Sequence, residues 1–276
     1  MLLLKPAYIE RSYYTDLLLN HLERKGLQPR DAHPRPHLGS ICQRKDVFTE
    51  LDPARKNIKD VYFKNGKAVD YNIPVTERTL MYWYDGEAVD AKTRAVFTKG
   101  VPGNYDTAAY VEYGDFAGHP DLVDLDRKCV IELKTIDPSA ETFLPKEHNV
   151  DQLKKYMAVL DYEDGVLWYH IITRKQDSGL WREFHYKLSA TERAEIRNLL
   201  LPLGERVQQA YDEKNPYLAP HVADDTRVNK WMCVNYCEFV EYCEEGWAVR
   251  EQYFKDHRTA KPKVKNLVKK TWKVFK

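Results

Sequence analysis

Apolar residues recur at helical spacing from about Tyr8 to Lys25, and Gly26 with Pro29, Pro34 and Pro36 then breaks that run. A second short helix is expected after the break, with Ser40 as its N-cap and Cys42 close behind. Residues 60–74 read as a hairpin about Asn65-Gly66, a dipeptide suited to two-residue turns. Thr76 can cap the helix that follows, TERTLMYWYDGEAVDAKTRAVF, whose internal Gly86 calls for a reason such as close backbone approach.

From Ala108 the pattern turns β-rich. The segments AAYVEYG, DFAGHPDLVDL and, after the polar turn Asp126-Arg127-Lys128, CVIELKT predict a short antiparallel meander. Asn149 to Gln152 looks like a capping box opening the helix NVDQLKKYMAVLDY. VLWYHIIT then returns to strand, and SGLWREFHYKL pairs with it across a glycine turn. Ser189 with Glu192 opens a long helix to about Asn215. This order predicts a mixed α/β core, with a central sheet flanked by helices and no internal repeat.

Composition adds the scale. A chain of 276 residues, 43% hydrophobic, with 19 Tyr and 6 Trp, supports one large domain, expected over residues 1–256. Residues 257–276 form a tail with eight Lys or Arg and no acid, either a solvated end or an arm for a polyanion. The net charge of +1 means that any nucleic-acid binding must come from a local patch. MLLLKP is too short an apolar run for a signal-peptide core, and no stretch suggests a membrane span. A cytoplasmic protein with no membrane partner is therefore expected.

The densest candidate chemistry lies in GHPDLVDLDRKCVIELKT, residues 118–135. Asp121 on one strand and Glu132 on the next can be brought together by hairpin pairing, and Lys134 projects from the same face as Glu132. Two carboxylates beside an ammonium suit a hard divalent cation that acts on a phosphodiester, although acids and lysines also line ordinary solvated strands. Asp115 and Asp124 read as solvated or supporting acids, and His119 and His148 as structural or phosphate-facing.

Pro120-Asp121 followed by Glu132-Leu133-Lys134 resembles the signature of the PD-(D/E)XK nucleases, and Gln152 with Tyr156 resembles the QxxxY motif of their RecB-like branch. The resemblance implies a restriction-endonuclease-like α/β core. It further implies that Asp121, Glu132 and the Leu133 carbonyl hold Mg2+ or Mn2+, that Lys134 is catalytic, and that Gln152 and Tyr156 serve DNA. In that branch a GxxxH motif adds a histidine ligand; here Gly86 is followed by Glu87 and, at the histidine position, Asp90, so Asp90 is the expected third ligand with Glu87 as its rival.

Five cysteines without an export signal argue for metal ligation or reduced thiols rather than disulfides. Cys233, Cys237 and Cys243 form C-x3-C-x5-C, with Cys42 far upstream; four thiolates suit an iron–sulfur cluster or zinc, while Cys129 reads as a buried thiol. The pattern is similar to the iron–sulfur branch of RecB-like nucleases, which includes the CRISPR-associated exonuclease and its phage relatives. That likeness implies a 4Fe–4S cluster, with zinc as the alternative, joining a lobe built from about residues 38–50 and 228–250. The trio there is usually C-x2-C-x5-C, a departure that bears on cluster type. The function implied is a metal-dependent exonuclease at single-stranded DNA ends, with recombination or CRISPR-adaptation proteins as partners. The alternatives are an endonuclease or a catalytically inactive DNA-end-binding subunit.

Overall fold

The structure is a computed structural model that describes residues 36–51, 63–64, 67–68, 77–172, 180–221, 233, 237, 239–240 and 242–256. The Tyr8–Lys25 helix, Thr76 and the basic tail lie outside the described residues. Helix α1 spans Gln43–Leu51, and the hairpin strands β1 (Phe63–Lys64) and β2 (Lys67–Ala68) pair around residues 65–66 as expected. Helix α2 runs Glu77–Lys99. Strands β3 (Tyr105–Asp106), β4 (Val111–Tyr113), β5 (Phe116–Gly118), β6 (Leu122–Asp124) and β7 (Cys129–Ile136) follow. Helix α3 (Glu147–Leu160), β8 (Asp164–Ile171), β9 (Leu180–Lys187), α4 (Ala190–Asp212) and α5 (Glu244–Asp256) complete the order. Among the described residues no helix is long and apolar enough to cross a membrane.

The central sheet has the order β3-β6-β7-β8-β9, with β7 and β8 parallel and the other neighbours antiparallel. A parallel pair needs a crossover, and α3 supplies it. One face of β8 is buried at every second residue; Leu167, Tyr169 and Ile171 there meet Leu153, Tyr156 and Met157 of α3. Gly165 is the point of closest approach, because a Cβ there would run into the Met157 side chain. Helix α2 lies over the other face: Phe97 packs edge-on against Trp168, and Gly86 faces Thr135. A Cβ on Gly86 would sit 3.5 Å from the Thr135 hydroxyl, an ordinary contact, so close approach does not explain that glycine.

Three local expectations are corrected. The meander splits, because β4 and β5 form their own two-stranded sheet, bridged by His37 and Ala117, while β6 and β7 join the main one. Helix α1 begins at Gln43, so Ser40 lies in the preceding turn, where its N–H donates to the His37 carbonyl. Helix α3 begins at Glu147, and Asn149 is buried rather than capping; its amide donates to the Tyr169 hydroxyl at 2.9 Å. Burial and a tertiary partner outcompete the local turn there.

The α3 helix ends on Asp161 in the left-handed conformation, φ 57°. The Asp161 carboxylate accepts from Arg193 and Arg197 of α4, both at 2.9 Å, which ties the two helices together. The expected Ser189–Glu192 capping box is present at the start of α4. Ser189→Ala should cost about 1 kcal/mol of unfolding free energy, read as a lower denaturant midpoint with an unchanged slope.

Candidate active site

Asp121 occupies the bend just before β6 rather than the strand itself. The register Leu122↔Ile131 sets it across from Glu132. One carboxylate oxygen, Oδ2, accepts the Leu133 N–H at 2.8 Å, which fixes Asp121 to the Glu132 strand. Lys134 Nζ ion-pairs with Glu132 Oε1 and stands 3.7 Å from Asp121 Oδ2. Period-two alternation places Glu132 and Lys134 together on the α3 face, in register with Leu167 and Tyr169. The structure thus brings Asp121, Glu132 and Lys134 together, and their strand spacing explains why.

Glu132 is 1% exposed, and its second oxygen, Oε2, is buried with no hydrogen-bond partner. Burial pushes its pKa up; Lys134 opposes that shift and Asp121 adds to it. Burial also works against the Lys134 charge, but Glu132 and Asp121 outweigh it and hold the ammonium above its ordinary pKa. A buried carboxylate oxygen with no donor, beside a second carboxylate, is a donor set that fits a divalent cation, for which Leu133 would add only its carbonyl. Among the described residues no group of three or more His, Cys, Asp or Glu gathers around a common point.

Asp90 does not stand alone at the expected third position. Arg94, one turn further along α2, donates from Nε to both Asp90 oxygens at 2.9 Å and from Nη2 to Asp121 Oδ1 at 3.1 Å. Its Nη1 donates to the Thr107 carbonyl. Arg94 therefore links Asp90 to Asp121 and docks α2 beside the carboxylates. The sequence reading missed this residue, although an Asp and an Arg four apart on a helix carry a readable pairing signal. Glu87 is exposed and lines the same cavity as Asp90, Asp121 and Lys134, a space of about 280 Å³.

Gln152 and Tyr156 stay neighbours, one turn apart on α3, but differ in exposure. Gln152 lines a second groove with His148, Lys155 and the Gly39–Ser40 turn. A Cβ on Gly39 would meet its amide at 2.7 Å, so a larger residue there would displace the Gln152 side chain. Tyr156 is fully buried under Gly118, on the apolar face of α3, and burial drives its pKa well above the tyrosine range. It supports the site from beneath. His119 is exposed, and its Nδ1 lies 3.0 Å from the Ala109 carbonyl, a structural contact. Asp115 is half-buried, whereas Asp124 is buried and accepts the Arg127 N–H at the β6–β7 turn.

Cys129 is buried as expected, and Cys42, Cys233 and Cys243 are buried too. Cys42 packs with Cys233, whose Sγ lies 3.5 Å from His221 Nε2. Cys243 and Cys237 pack around Phe48 and Phe239. The residues flanking and forming α1 thus meet both ends of the C-terminal trio, while the four sulfurs do not converge on one point.

No family model matches the chain, and no curated protein matches it. Among solved structures, the crystal structure of SSO0001 aligns over 85% of this chain and 98% of its own, at 17% identity and a TM-score of 0.50, a likeness of fold. The alkaline exonuclease LHK-Exo from Laribacter hongkongensis aligns over 72% of this chain and 100% of its own, at 14% identity and a TM-score of 0.39. A phage related exonuclease from Haemophilus somnus 129PT aligns over 71% of this chain and 97% of its own, at 11% identity and a TM-score of 0.37.

His148, in the groove with Gln152 and Lys155, generates a stability prediction. Burial foremost, then Lys146 and Lys134, lower its pKa to about 4. The unfolded chain, titrating near 6.5, binds the proton more readily, so His148 favours folding above about pH 6.5 and loses that contribution as pH falls toward about 4. The loss of thermal midpoint between pH 7 and pH 4.5 should be smaller in His148→Gln than in the wild type.

Proposed function

We propose that this chain is a metal-dependent deoxyribonuclease of the PD-(D/E)XK kind that hydrolyses phosphodiester bonds at DNA ends. The observation that carries the proposal is the buried Glu132 with one unpartnered oxygen, set across from Asp121 and held by Lys134. Asp121, Glu132 and the Leu133 carbonyl would hold Mg2+ or Mn2+, which supplies polarisation of the scissile phosphate and a readied water. Lys134 steadies charge on the attacked phosphate and orients the attacking water. Gln152, with Lys155 in the same groove, positions the backbone of the strand. Arg94 holds Asp121 in line and balances the acids of α2. Single-stranded ends are the proposed substrate, because only an unpaired strand brings one nucleotide into a cleft of this size.

The guanidinium between Asp90 and Asp121 favours one second reading, an end-binding subunit in which that cation stands where a catalytic metal would. Cleavage of labelled single strands with Mn2+ separates the two. Wild type should cut, and Asp121→Ala, Glu132→Ala and Lys134→Ala should each lower kcat by at least about 100-fold while the protein stays folded. Cleavage at the wild-type rate by Glu132→Ala would sink the assignment.

We further propose that Cys42, Cys233, Cys237 and Cys243 bind a 4Fe–4S cluster that pins the C-terminal segment against α1. The burial of three of these thiols and the packing of Cys42 with Cys233 support it. Protein purified without oxygen should be brown and should lose iron on Cys233→Ser but not on Cys129→Ser. Colourless protein carrying one zinc per chain would make the centre a zinc site.

A further inference from the structure

We infer that the cavity beside Asp121 is a nucleobase subsite, with Trp181 as the stacking surface for the base next to the scissile phosphate; the inference rests on the nuclease reading. The sheet register supplies the first argument. Thr135, His170 and Trp181 are direct neighbours on β7, β8 and β9 and form one row across the α2 face. The cavity runs along this row, from Asp121 and Lys134 at one end to His170 and Trp181 at the other. Two strand spacings, about 10 Å, separate β7 from β9, so a ligand with one end at Asp121 and Lys134 has its other end at the indole.

The second argument is rigidity. The Trp181 ring lies 4.4 Å from Trp168 at 37° and 4.7 Å from His170. Trp168 is braced edge-on by Phe97 of α2, at 6.0 Å and 88°. An indole in contact with two neighbouring rings, one of them braced by a helix, is already ordered, so stacking a ligand on it costs little further side-chain entropy.

Charge decides which part of a nucleotide fits. Glu87 and Asp90 on α2 join Asp121 in the lining, and Arg94 and Lys134 are already engaged by these acids and Glu132, so the wall offers little to a second phosphate and accepts an uncharged planar ring. The volume of about 280 Å³ is at the small end for ligand sites and suits one unstacked base with its sugar rather than a base pair. The subsite therefore selects strands whose terminal base is already free. Trp181 touches the base and not the reacting atoms, so its role is binding and positioning.

The test uses the full chain carrying Glu132→Gln, which holds a strand uncleaved, with fluorescence anisotropy on two oligonucleotides. One is an ordinary short single strand and the other carries abasic nucleotides at its end. The parent should bind the ordinary strand about tenfold more tightly, since base–aromatic stacking is of that order. Trp181→Leu should lose this preference by weakening the ordinary strand alone, and Trp181→Phe should keep most of it. Equal binding of both strands by the parent, or equal weakening of both by Trp181→Leu, would overturn the subsite. The parent comparison needs no substitution at Trp181, so it stands even if Trp181→Leu unfolds. Wild-type protein that fails to cut with Mn2+ yet keeps the base preference would overturn the nuclease reading and leave the subsite in place.

Discussion

The rest of the structure is arranged around one expense, the removal of the Glu132 carboxyl from water. A carboxyl buried this deeply would lose its charge or destabilise the fold unless cations lie beside it. Lys134 supplies one from the same strand, and the Asp121 carboxylate is in turn held by Arg94 and a backbone amide. These partners come from β7, the bend before β6 and α2, so the site forms only when the three are docked together. The α3 helix closes the sheet face beneath Glu132 with Leu153, Tyr156 and Met157. That apolar floor makes the carboxyl costly to bury and receptive to a cation.

Much of this was legible in sequence, for a definable reason. Alternation along a strand is a strict period, so Glu132 and Lys134 on one face followed directly from their spacing, and a short turn led back to Asp121. The long helices announced themselves through the Ser189–Glu192 box and their periodicity. What could not be read depended on contacts between distant segments. Asn149 looked like a cap and is a buried partner of Tyr169. Tyr156 looked like a DNA contact and is a core residue, because the buried face of α3 is set by where the sheet lies. Arg94 was invisible as a site residue because its role needs Asp121, far along the chain, in the right place.

The fold by itself says little about chemistry, since layered mixed sheets host many activities, and the likeness to SSO0001 is one of fold. The functional reading rests on the acids and the lysine. A wall with three carboxylates would repel a polyanion, and Lys134, Arg94 and Lys155 are the cations that temper it. The near-zero net charge of the chain fits such local compensation better than attraction by a global field.

The parallel pairing of β7 with β8 also sets an order of assembly. β6 and β7 join across a tight turn, with Asp124 opposite Cys129, a contact of very short sequence separation. β7 and β8 can pair only after α3 has formed and crossed the sheet, with Cys129 opposite Asp164, and loop closure of that length slows nucleation. A chain that closes the short-range contact first has Asp121 and Glu132 facing each other while the apolar floor is still missing. At that stage both acids are hydrated and no carboxyl has yet been forced out of water. The electrostatic penalty is deferred to the late docking of α3, so destabilising α3 should raise the unfolding rate more than it slows the first hairpin.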